Sequence, residues 1–252
     1  MPTRDTAWPT GTPCWVDLGV PDIEAARHFY SSLLGWTYEG GEEEYGGYLL
    51  ALSGGRKAAG LGPQMDPDDP PRWTTYFATD DADATAARIT DAGGSVVMPP
   101  MDVGPMGRMA IAVDRQGNPF GLWQSGVITG VEVYNEPGSL VWNEAAVDDQ
   151  AAAREFYTAV FGFTWDEIPD SGGYSTFSSE DRPLGGLGGL APGLPRGWQA
   201  CFSVANTDEA VRTVEAGGGK VLMAAEDTPY GRFAVVADPW GASFSVMQPQ
   251  DG

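Results

Sequence analysis

Histidine is almost missing from this chain: among 252 residues there is one, His28. That excludes any metal centre built on two imidazoles and a carboxylate unless a second copy brings its own helix against the first. It also leaves a poor base for a Ser–His–Asp triad, and no GxSxG elbow is present. Cysteine is scarce too. Cys14 and Cys201 form no CxxC pair, so two buried free thiols are expected rather than a disulfide or a catalytic pair. Basic residues are few: 14 Lys and Arg stand against 35 Asp and Glu, a formal net charge of −21. Such a field repels phosphate backbones and anionic membranes, so neither nucleic acid nor a membrane is an expected partner. No run of 18 apolar residues occurs, and no basic segment followed by an apolar one opens the chain. A cytoplasmic location is the expectation. The glycine-rich stretches are not followed by GK[ST], and no GxGxxG follows a strand, so no nucleotide, flavin or other cofactor is expected.

What is present is a repeat. "WVDLGVPDIEAARHFYSSLLGW" from Trp15 returns as "WNEAAVDDQAAAREFYTAVFGF" from Trp142. "PMGRMAIAVDRQGNPFGLWQ" from Pro105 returns as "PYGRFAVVADPWGASFSVMQ" from Pro229. "RWTTYF" at Arg72 returns as "RGWQACF" at Arg196 with one residue inserted. Self-similarity on this scale means a duplicated domain. The two copies are expected over residues 12–125 and 139–249, with a Gly-rich polar boundary between Ser125 and Ser139. The preceding dozen residues read as a disordered or loosely docked arm in which Trp8 packs somewhere.

Within each copy the pattern repeats on a smaller scale. A short strand runs into a helix with Asp22 as N-cap, apolar residues at Ala25, Ala26, Phe29, Tyr30 and Leu33, and a stop at Gly35. Strands follow, and a second strand–helix–strands unit starts near Trp73. The fold class is α+β, with four βαβββ units. Consecutive late strands in each unit argue against a doubly wound parallel sheet.

The opening "D…A..FY…L.G(W/F)" segment and the closing "D..G..F" segment, in both copies, resemble the glyoxalase/bleomycin-resistance/dioxygenase superfamily, the vicinal oxygen chelate proteins. The likeness covers nearly the whole chain after about residue 12. It looks most like a two-domain actinobacterial branch of secreted antigens and hydroxylases. The resemblance implies tandem glyoxalase-like domains whose curved mixed sheets enclose a cavity. It also implies one divalent metal in active members, held by His, Glu or Gln from first and late strands.

Carried onto this chain, those ligand positions fall on Trp15 and Trp142, near Trp73–Thr75 and Trp198–Ala200, and on Gly121 and Ser245. None is a strong donor, so no metal is expected there. An all-oxygen site stays arithmetically possible among 35 acids, but the acidic stretch at Met65–Pro71 reads as a proline-rich surface loop.

Strand alternation puts Asp17 beside Trp15 and Glu144 beside Trp142. An acid against an indole in a cavity has a raised pKa and suits general acid or base work. The competing expectation is that both acids satisfy backbone donors or pair with Arg108 and Arg232. Tyr48, Trp73, Tyr76 and Trp123 complete an aromatic lining, matched in the second copy with Tyr174, Trp198, Phe202 and Met247. The expected ligand-binding set is therefore Trp15, Trp142, Tyr48, Tyr174, Trp73, Trp198, Trp123, Arg108 and Arg232. The leading reading is metal-free binding of a small aromatic or apolar molecule. The alternative is a lyase, isomerase or hydroxylase-type enzyme using Asp17 or Glu144 as acid or base. Four units in one chain complete their own cavities, so a monomer suffices and a homodimer is allowed.

Overall fold

A computed structural model describes residues 2–179 and 182–250. The first unit runs β1 (Pro13–Val20), α1 (Ile23–Leu34), β2 (Thr37–Gly40), β3 (Leu49–Ser53) and β4 (Arg56–Pro63). The second runs β5 (Trp73–Ala78), α2 (Ala82–Asp91), β6 (Ser95–Asp102), β7 (Gly107–Val113) and β8 (Pro119–Ser125). The third repeats this as β9 (Leu140–Val147), α3 (Gln150–Phe161), β10 (Thr164–Glu167), β11 (Ser175–Ser179) and β12 (Arg182–Gly189). The fourth comprises β13 (Gly197–Ser203), α4 (Thr207–Ala216), β14 (Lys220–Thr228), β15 (Gly231–Ala237) and β16 (Ser243–Pro249).

The helix boundaries follow from local chemistry. The Asp22 carboxylate accepts a hydrogen bond from the Ala25 amide at 3.0 Å, and Asp149 does the same for Ala152. These side chains satisfy amides that have no partner within the helix. Each of these two helices stops at a left-handed glycine, Gly35 at φ 70° and Gly162 at φ 76°, a conformation that a Cβ disfavours.

Strand pairing corrects the expected architecture. The curved, cavity-enclosing sheets implied by the resemblance are not what the strands form. β1 and β5 pair antiparallel through Trp15↔Tyr76, so two units merge into one eight-stranded mixed sheet, ordered β2-β3-β4-β1-β5-β8-β7-β6. The second domain has the equivalent order β10-β11-β12-β9-β13-β16-β15-β14. Both sheets are open. Closure would need hydrogen bonds between the outermost strands, such as β2 and β6, and these lie at opposite ends.

The helices lie between the two domains, α1 on α4 and α2 on α3, with β5 against β13. Tyr30 and Tyr157, both fully buried, cross this junction. Tyr30 Oη donates to Asp238 Oδ2 at 2.9 Å and accepts from Trp73 Nε1 at 3.2 Å. Tyr157 Oη donates to Asp114 Oδ2 at 3.2 Å and accepts from Trp198 Nε1 at 2.8 Å. Each domain's first helix is thus tied to the other domain's last turn. Of the two expectations for the N-terminal arm, disordered or loosely docked, the structure has the docked one. Trp8 is buried and its indole donates to the Val131 carbonyl at 3.1 Å. Both cysteines are free and buried. No helix among the described residues is long and apolar enough to cross a membrane.

Candidate active site

The two sheets carry the same constellation on the face away from the helices. In the first domain, β1 presents Trp15 and Asp17, and the chain entering β3 presents Tyr48. Trp15 Nε1 donates to Tyr48 Oη at 2.9 Å, and Tyr48 Oη lies 3.2 Å from Asp17 Oδ2, to which it donates. Tyr76 of β5 donates to the same carboxylate oxygen at 3.1 Å. In the second domain Trp142 Nε1 donates to Tyr174 Oη at 3.0 Å, and Tyr174 Oη donates to Glu144 Oε2 at 2.9 Å.

Glycines make room for these tyrosines. A Cβ on Gly60 would fall 1.8 Å from Tyr48 Oη, and a Cβ on Gly186 would fall 1.8 Å from Tyr174 Oη. The G-x-G stretches of β4 and β12 are therefore flat floors under the rings.

Two further facing positions separate the copies. Tyr76 sits opposite Trp15 and beside Gly121, and a Cβ on Gly121 would come within 2.0 Å of its ring. In the second domain the corresponding residues are Cys201, opposite Trp142, and Ser245 beside it. Tyr76 therefore matches Cys201, where the one-residue insertion had suggested Phe202. The phenol that fills the first domain is absent from the second. There a cavity of about 120 Å³ is lined by Glu144, Tyr174, Gly188, Leu194, Gln199 and Ser245, among others.

Burial sets the protonation of both acids. Desolvation pushes Asp17 up to about 7, opposed by the hydrogen bonds from Tyr76 and Tyr48. Glu144 is raised as well, again by desolvation, with the Tyr174 bond opposing. The charged form is the one that loses water, so both carboxyls hold a proton to higher pH than in solution. Burial first, and then the nearby Glu144 charge, raise the Cys201 thiol well above its usual range, so it stays a neutral thiol.

The expected site residues divide cleanly. Trp15, Tyr48 and Asp17 come together, as do Trp142, Tyr174 and Glu144. Trp123 lies on the first domain's site face but hydrogen-bonds away, donating to the Ile128 carbonyl at 2.8 Å. Trp73 and Trp198 project to the opposite side of their sheets, into the interdomain core, because strand alternation points them toward Tyr30 and Tyr157. Arg108 and Arg232 meet neither acid. Arg108 pairs with Asp83 and Asp102, and Arg232 with Asp208 and Asp227, at the sheet margins. His28 is exposed on α1. Sequence reading placed Ser245 and the Trp198–Ala200 stretch only at metal-ligand positions, and did not single out Gln199 or Leu194 as lining residues. The paired glycines of β4 and β12 were the available signal for the tyrosine floors.

The family's sequence profile, that of the Glyoxalase/Bleomycin resistance protein/Dioxygenase superfamily, matches residues 14–122 and again 139–246. The chain belongs to that superfamily. Among its relatives in the superfamily, "Putative glyoxylase CFP32" of Mycobacterium tuberculosis is 39% identical, over 99% of this chain and 98% of that protein. The Mn(II)-bound glyoxalase of Novosphingobium aromaticivorans superposes with a TM-score of 0.68 at 14% identity, over 96% of this chain and 84% of that one. The 2,2',3-trihydroxybiphenyl 1,2-dioxygenase of Sphingomonas wittichii gives 0.65 at 19% identity, over 95% and 91%.

These neighbours correct the reading of the chain as a metal-free binding protein: glyoxalases and ring-cleaving dioxygenases are enzymes, and the one from Novosphingobium carries Mn(II). The enzyme alternative is the better supported. The donor set here nevertheless does not fit a metal of that kind. The facing positions are Trp15, Tyr76 and Gly121 in one domain and Trp142, a protonated Cys201 and Ser245 in the other. Among the described residues no group of three or more His, Cys, Asp or Glu gathers around a point.

Proposed function

We propose that this superfamily member is an isomerase- or lyase-type enzyme in which Glu144, in the second domain, moves a proton on a small carbonyl compound. One observation carries the reading. Glu144 is a desolvated carboxyl held by a single tyrosine hydroxyl in the wall of a cavity of about 120 Å³, while its counterpart Asp17 is covered by Tyr76. A raised carboxyl pKa brings a base closer to the operating pH, where proton transfer is most effective. Glu144 takes a proton from the carbon next to the carbonyl. The electron pair moves onto the carbonyl oxygen or expels a β-leaving group, and the same carboxyl returns the proton. The Tyr174 hydroxyl, itself oriented by Trp142, holds Oε2 in place and directs Oε1 to the reaction. A volume of this size suits a compound of a few heavy atoms.

The test is solvent deuterium incorporation into a panel of small α-hydroxy and α-keto compounds, followed by NMR with purified protein. Exchange is expected with the wild type and is lost in Glu144→Gln while compound affinity persists. Exchange that survives Glu144→Gln unchanged overturns the assignment.

A further inference from the structure

A second cavity lies outside the catalytic constellation, where the N-terminal arm, the interdomain linker and the second domain meet. It measures about 170 Å³, and its walls include Trp8, Tyr134, Trp142, Asn143, Arg182 and Pro183. Neither domain forms it alone. Trp8 comes from the arm, Pro13 from β1, Tyr134 from the linker, and Trp142, Asn143, Arg182 and Pro183 from β9 and β12.

Two of its walls carry hydrogen-bond donors with no work elsewhere. Asn143 is 4% exposed. Its Oδ1 accepts from the Thr75 hydroxyl at 3.0 Å, which leaves Nδ2 without a protein partner among the described residues. Arg182 makes no ion pair among the described residues either, although nearby cations do: Lys57 bonds Glu132 and Arg56 bonds Asp5. The remaining walls are aromatic. Trp8 and Tyr134 meet edge to face at 5.3 Å, and the indole N–H groups of Trp8 and Trp142 already donate, to the Val131 carbonyl and to the Tyr174 hydroxyl. Their flat faces are what is left for a ligand.

We infer that this cavity is a binding site for a small planar carboxylate, with its ring against the aromatic walls and its carboxylate on Arg182 and the Asn143 amide. Guanidinium and carboxylate match in shape and charge. The space suits a single ring, since a cavity of about 150 Å³ accepts benzene. The acidic surface does not forbid an anion here, because at physiological salt charges beyond roughly 8 Å are screened. Trp142 is shared with the site described above: it lines this cavity and donates to Tyr174, which holds Glu144. The inference stands whether or not Glu144 is catalytic.

The probe is benzoate, titrated calorimetrically into the full chain at physiological salt, with benzamide as its neutral counterpart. One benzoate per chain is expected, and benzamide binds more weakly. Arg182→Ala weakens benzoate roughly tenfold or more. Val141→Trp, which fills the cavity from a half-buried wall position, removes binding, while Glu144→Gln binds as the wild type does. Circular dichroism confirms that each variant is folded. The inference is overturned if no saturable binding occurs up to the solubility limit. It is also overturned if Arg182→Ala and Val141→Trp bind normally, or if Glu144→Gln is the variant that loses benzoate.

Discussion

The two domains share a fold, a tryptophan–tyrosine–carboxylate chain and a glycine floor, yet one is filled and the other is open. In the first, two phenols converge on Asp17. In the second, one phenol holds Glu144 and the other place is taken by Cys201. Duplication supplied two equivalent pockets. Exchanges at three positions, Tyr76 for Cys201, Gly121 for Ser245 and Asp17 for Glu144, then separated the packed site from the one with room for a ligand. Glutamate in place of aspartate extends the carboxyl one methylene further from the strand, toward that space.

The largest expected difference is in turnover. Glu144→Gln is predicted to lower kcat by about 10²- to 10⁴-fold, the usual worth of a positioned acid or base. Asp17→Asn should leave kcat within roughly twofold, measured as solvent exchange on the same substrate. Equal losses in both variants would end the distinction drawn between the domains.

Stability should show the reverse asymmetry. Tyr76→Ala removes a buried ring that fits against Gly121, and is expected to cost about 3–5 kcal/mol in urea unfolding. Cys201→Ala, which trims only a small buried side chain, should cost roughly 1 kcal/mol. Comparable costs would mean that the first domain is no more tightly filled than the second.

The junction should behave alike from either side. Tyr30→Phe and Tyr157→Phe each strip a buried carboxylate, Asp238 or Asp114, of a donor. Each is predicted to cost about 1–3 kcal/mol, again by urea unfolding. A large difference between them would show that the pseudo-symmetry of the interface is only geometric.

The smallest effect concerns pH. Asp17 is held up at about 7 in the folded chain against an ordinary aspartate value of 3.8. Between those values the folded state binds more protons than the unfolded one. Stability from this group is therefore full below about 4 and falls as pH rises through about 7. Asp17→Asn should flatten that part of the stability–pH curve. An unchanged slope would place the titration elsewhere.

Much of this was legible beforehand. The repeat, the capped helices with their glycine stops, the paired acids beside tryptophans and the two buried thiols all follow from local pattern. Trp73 and Trp198 misled because an aromatic on a strand has two possible faces, and only pairing and helix placement decide which is the core. Arg108 and Arg232 misled because their carboxylate partners come from neighbouring strands and from the helices packed on their sheets. Tyr76 and Cys201 were misaligned by one inserted residue, and a one-residue slip changes the face. The open sheets, in place of the curved ones expected, came from pairing between units that no single unit specifies.

The amino-acid order by itself determined a duplicated α+β chain with acids flanked by indoles and a shortage of imidazole, because periodicity and composition are local properties. Only the tertiary structure decided which acid is smothered and which faces a space. It also decided where the arm docks and that Arg182 and Asn143 line one cavity. Those are consequences of contacts between residues far apart in the chain, and their outcome turns on the volume of individual side chains.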